Sequence, residues 1–106
     1  MMDVQQARAL AEAKVREIED PATPLVLTAP DAPRDFSWAW AFSYNAVRYL
    51  ETNDFSDMVP AGPIVVMKDG SDVWIANSAP PVEQWLNMYG EQRGYPALPL
   101  PQAFSF

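Results

Sequence analysis

The sequence predicts an α+β fold: a four-stranded, mainly antiparallel sheet with an N-terminal and a C-terminal helix packed on it, followed by an extended proline-rich tail. Three observations predict it. An apolar stripe at three- and four-residue spacing opens the chain. Runs that alternate at period two fill its middle. A second stripe at helical spacing follows them.

Asp3 is placed to cap a helix over residues 3–19, with Gln6 positioned to return the bond in a capping box. Val4, Ala7, Ala11, Val15 and Ile18 form the stripe, with Leu10 beside them, while Arg8, Glu12, Arg16 and Glu19 take other faces. Pro21 stops the helix, because the residue before a proline is driven from helical angles. Leu25-Val26-Leu27-Thr28 reads as a short strand, and Pro30, Asp31, Pro33 and Asp35 as a turn or loop. Phe36, Trp38, Trp40, Phe42 and Tyr44 then alternate with Ser37, Ala39, Ala41 and Ser43. That pattern predicts one strand over 36–44, aromatic on one face and small on the other, and the small face lets a helix approach closely.

From Val47 to Asp57 the periodicity is ambiguous, and a bend followed by a loop running to Pro60 is expected. Pro63 to Lys68 is apolar on both faces, as a central strand is. Asp69-Gly70-Ser71 is a hairpin turn, and Asp72 to Asn77 pairs back. Ser78 is placed to cap a second helix near Pro81, since proline suits a first turn. Val82, Trp85, Leu86 and Tyr89 share one face of it, and Gly90 or Gly94 ends it. Residues 1–94 therefore read as one domain and 95–106 as its tail, in polyproline II conformation. The PxxP spacing of Pro96 and Pro99 is a weak partner signal, and docking of the tail on its own domain is the expectation.

Composition narrows the function. The 106 residues contain neither cysteine nor histidine. Thiol chemistry, disulfides, the histidine-based triads and the usual zinc sites are thereby excluded. The four glycines are dispersed and open no phosphate loop, and there is no GxSxG motif. The reading is a protein with no catalytic residues, no metal and no cofactor. Fourteen acids against seven bases give a formal net charge of −7, which disfavours nucleic acid as a partner. The N-terminus carries Asp3, Glu12 and Glu17 and lacks a continuous apolar stretch of the signal-peptide kind, and Ile64–Met67 is far too short to cross a bilayer. A cytoplasmic protein without a membrane partner is expected.

Two groups of side chains invite a functional reading. Over residues 51–72 the acids Glu51, Asp54, Asp57, Asp69 and Asp72 face one base, Lys68. Such a cluster concentrates negative potential and steers a basic protein surface. Phe55 and Met58 lie within the first part of it as apolar anchors. The candidate partner-binding residues are therefore Glu51, Asp54, Phe55, Asp57, Asp69 and Asp72. Backbone reasons also place Asp at a tight turn, so Asp69 and Asp72 equally suit a purely structural role. The aromatic strand face is either core or, alternatively, a small-molecule pocket.

At this point the order of features resembles the immunity protein 35 family of bacterial polymorphic toxin systems. The resemblance spans roughly residues 5–92. It rests on the N-terminal helix, the strand Trp38-Ala39-Trp40-Ala41-Phe42, and the segment Tyr49-Leu50-Glu51-Thr52-Asn53-Asp54. It continues through Ala61-Gly62-Pro63-Ile64-Val65-Val66, the turn at Asp69-Gly70 and the helix start Pro80-Pro81-Val82-Glu83. Two runs depart from the family pattern. Pro60-Ala61-Gly62-Pro63 stands for a Gly-Asn-Gly-Pro-like run, and Thr52-Asn53-Asp54 for a Thr-Gly-Asp-like turn. The second change is mild, because Asn tolerates left-handed angles. The resemblance implies a cognate toxin protein as partner and neutralisation by occlusion, and the acidic cluster adds the expectation that the toxin surface is basic. A general protein-binding or holdase role is the alternative.

Overall fold

The computed structural model describes residues 2–59, 61–77 and 81–100. Helix α1 spans Val4–Ile18, and both halves of its capping box form between Asp3 and Gln6. Strand β1 is Leu25–Leu27, β2 Arg34–Asp35, β3 Ala39–Phe42 and β4 Tyr44–Ala46. Helix α2, Val47–Thr52, leads into a 3-10 turn at Phe55–Asp57. Strands β5, Ile64–Met67, and β6, Val73–Ile75, precede helix α3, Val82–Glu91.

The main sheet is antiparallel throughout, in the order β2-β3-β5-β6, so β3 and β5 form its centre as the sequence indicates. Period-two alternation splits these two strands between opposite faces. Trp40, Phe42, Ile64 and Val66 turn to α1, where Ala7, Ala11 and Val15 meet them. Ala39, Ala41, Val65 and Met67 turn to α3 and meet Val82 and Leu86. The small side chains of β3 thus let α3 lie close, while its aromatics fill the α1 side. Phe42 is fully buried, and truncating it to alanine would remove about 3–5 kcal/mol.

The expected continuous strand over 36–44 is not present. Asp35 pairs with Trp40, and the Phe36 N–H donates to the Ala39 carbonyl at 2.9 Å, so Ser37 and Trp38 form a tight hairpin turn. Trp38 consequently leaves the aromatic face and packs with α3. At Ser43 the chain leaves the main sheet. Tyr44–Ala46 pairs antiparallel with Leu25–Leu27 in a separate two-stranded sheet. The fourth strand of the main sheet is Arg34–Asp35, inside the segment read as a proline-rich loop. Glu83, only 6% exposed, holds that edge strand to α3 through the Arg34 guanidinium at 2.7 Å.

Helix α3 ends as the glycines suggest. Gly94 takes φ +79°, and the Tyr95 N–H donates to the Gly90 carbonyl at 3.0 Å, closing a Schellman-type turn. Residues 95–98 then fold back on the domain. The Trp38 indole N–H donates to the Pro96 carbonyl, the Asn87 amide pairs with both backbone groups of Leu98, and the Tyr95 and Trp38 rings stack at 4.7 Å. The Ser78 cap and the tail beyond Leu100 lie outside the described residues.

Candidate functional site

The segment expected to be a bend and loop is an ordered projection. Val47–Thr52 forms one short helix that buries none of its residues. Asn53 ends it with φ 54°, a left-handed angle of the kind that Asn tolerates in the Thr52-Asn53-Asp54 turn. The Asp54 carboxylate accepts the Ser56 N–H and hydroxyl at 3.0 and 2.9 Å, which opens the 3-10 turn and holds its pKa below the usual carboxylate range. Asp57 accepts the Arg48 Nε–H at 3.0 Å and the Thr52 hydroxyl at 2.7 Å, tying the turn to α2. Asn45 of β4 fixes the far end, accepting the Val59 N–H at 2.9 Å and donating to the Val59 carbonyl at 3.2 Å.

These bonds set the arrangement of the predicted residues. Glu51 through Ser56 are all exposed. Phe55, at the turn, is 78% exposed, and Leu50 and Met58 are 45% and 41% exposed. Among the described residues no hydrogen bond or ion pair engages the Glu51 carboxylate. Glu51, Asp54 and Phe55 thus share one exposed segment, and Asp57 stands behind them, neutralised by Arg48.

Asp69 and Asp72 lie elsewhere. Phe42 pairs with Ile64, so the Asn45-clamped projection sits by the start of β5, while the hairpin turn follows its end at Met67. Asp69 accepts the Ser71 N–H at 2.9 Å and the Tyr95 hydroxyl, and these partners depress its pKa, Ser71 most. Asp72 accepts the Tyr89 hydroxyl at 3.0 Å. Burial of Tyr89, reinforced by that bond, pushes the phenol up to about 12. Its ring also stacks on Trp74 at 4.6 Å and carries the Arg93 guanidinium at 3.8 Å. The two hairpin acids therefore fasten α3 and the following segment to the sheet.

Trp40 and Phe42 of β3 and Trp38 of the turn before it are all buried in the core. Among the described residues no group of three or more His, Cys, Asp or Glu is placed to hold a metal ion. Nor does any helix of these residues have the length and apolarity to cross a membrane. Sequence reasoning missed Asn45, Arg48 and Leu50. Asn45 alone carried a signal, as a polar residue directly after an apolar alternating run.

The family model of immunity protein 35 matches residues 5–88, most of the chain. The chain belongs to that family. Immunity proteins have toxins as partners in general, and the family fits a non-catalytic role. No curated protein and no solved structure matches this family member significantly.

Proposed function

We propose that this immunity-family chain binds a toxin protein in the cytoplasm and neutralises it by occlusion, with no catalytic step of its own. Membership of the immunity protein 35 family carries this reading. The docking surface in it is the exposed Glu51, Asp54 and Phe55 with the sheltered Asp57 behind them, and Asp69 and Asp72 add only to the long-range negative potential. A net charge of −7 supports a basic toxin surface, since attraction over several ångströms accelerates encounter by roughly 10- to 1,000-fold.

Co-expression tests the proposal. An effector domain encoded in an adjacent reading frame is produced with and without this chain. Growth rescue against one effector, with a tight one-to-one complex, is the expected result. Suppressed aggregation of many unrelated clients, with no rescue, would replace the proposal with a holdase role.

A further inference from the structure

The projection carries more than charge. Phe55 exposes most of its ring, although an aromatic side chain normally gains by burial. It is also held rigidly. The Asp54 cap, the Arg48–Asp57 pair and the Asn45–Val59 clamp fix the backbone on either side of it. Beside it opens a groove of about 270 Å³, lined by Pro24, Arg48, Asp57 and Met58 among others. The acid in its wall is sheltered, its side chain 19% exposed, whereas the Arg48 that neutralises it is 77% exposed. Arg48 reaches that carboxylate through Nε–H and keeps most of its side chain in solvent, so a cation offering a two-pronged contact from the groove can displace it.

We infer that Phe55 is a knob that enters an apolar socket on the toxin, and that a lysine or arginine at the rim of that socket enters the groove and replaces Arg48 on Asp57. This deepens the proposed function and rests on it. Charge selects the occupant. The exposed acids Glu51 and Asp54 flank the knob, and the one base of residues 45–59, Arg48, is already committed to Asp57. A second copy of this chain would bring like charges together, and an anionic membrane would repel them. A protein surface with an apolar pocket and a basic rim satisfies both halves of the site.

The test uses the effector that the full-length chain rescues, and measures association and dissociation rates by surface plasmon resonance. Phe55→Ala is expected to raise Kd by about 30-fold or more, almost wholly through faster dissociation, as central aromatic anchors do. Arg48→Gln is expected to accelerate association several-fold, because it unmasks Asp57 and adds one net negative charge. Circular dichroism melts confirm that both variants fold, which the exposure of both side chains favours. An unchanged Phe55→Ala dissociation rate overturns the knob. An Arg48→Gln association rate equal to or below the parent overturns the groove exchange. If the unmodified chain rescues no effector, the proposed function itself fails, and this inference with it. A parent chain that self-associates through residues 47–59, seen in sedimentation and loss of hydrogen exchange there, assigns the knob to a homodimer and overturns the toxin socket.

Discussion

Gly62→Ala is expected to be among the most damaging single-methyl additions to this fold. A Cβ on Gly62 would stand 1.8 Å from the Ala76 carbonyl oxygen and 2.5 Å from the Asn77 carbonyl carbon. Real Cβ contacts essentially never fall below 3.0 Å, so the two segments must part by more than an ångström. Neither neighbour is a flexible side chain. Both belong to the backbone at the open end of the β5–β6 hairpin, where the Ala76 N–H donates to the Pro63 carbonyl at 2.9 Å. Losing that bond removes about 1 kcal/mol. Overpacking a closely filled site adds about 1–3 kcal/mol. The total, about 2–4 kcal/mol, corresponds to a fall in Tm of roughly 10–30 °C for a domain of this size. Thermal and urea melts followed by circular dichroism read it directly. Gly94→Ala is the control, since nothing lies within 4 Å of its Cβ and only the positive φ of +79° opposes it. That change is expected to remove about 1 kcal/mol. Equal losses for the two variants, or a Gly62→Ala loss under about 0.5 kcal/mol, would refute the close-approach argument.

Three further outcomes follow from the same geometry. Burial pushes the Glu83 carboxyl up, but its bonds to Arg34 and to its own backbone N–H, with the Arg34 charge, leave it below its ordinary value of 4.5. The pair therefore stabilises the fold above pH 4.5 and loses that contribution as pH falls through the depressed folded value. Arg34→Ala is expected to destabilise by about 1–3 kcal/mol at pH 7, with the deficit shrinking in urea melts below pH 4.5. Tyr89 should be the late phenol in an ultraviolet titration, at about 12, and Tyr89→Phe should abolish that step. Because the folded value is raised, its stabilisation is complete below pH 10 and is lost as pH rises toward 12. Asn45→Ala is expected to speed hydrogen exchange at Val59 and the preceding turn at least 10-fold while leaving β3 and β5 protected; uniform loss of protection would show instead that the clamp supports the whole core.

Much of the fold is legible locally. The capping box of α1, the central position of 63–68 and the left-handed Asn53 each follow from a few neighbouring residues. The two errors around β3 share a cause. Phe36 to Tyr44 keeps perfect alternation, yet the chain reverses at Ser37–Trp38 and changes sheet at Ser43. No glycine, asparagine or aspartate marks the reversal, so a pattern rule sees a single strand. Helix α2 was invisible for a different reason. It buries no residue fully and rests on the core through Tyr49, and six residues are too few to write a stripe. The site was half legible. Charge and exposure at Glu51 and Asp54 follow from polarity, but Asp69 and Asp72 owe their roles to tyrosines 26 and 17 residues away. Sequence spacing alone does not disclose such partners.

The placement of order in this molecule bears on how tightly it can bind. A flexible acidic loop would steer a basic partner equally well, yet ordering it on contact would consume about 1–2 kcal/mol per residue in backbone freedom. Here residues 47–59 are already fixed by short-range bonds: a carboxylate cap, a left-handed Asn, an ion pair to α2 and an amide clamp to β4. None of these bonds uses the outward faces of Glu51 or Phe55. Glu51 and Phe55 are thus left for a partner by a stretch that its own bonds hold, while Asp57 serves both, because an incoming cation would take the place of Arg48 on the same carboxylate. The sheet does not have to deform for docking, because β4 receives the clamp and belongs to the small two-stranded sheet outside the main one. In the proposed docking, variation at Leu50, Glu51 and Phe55 changes which toxin is recognised while the Asn45 clamp and the core beneath it keep the same shape.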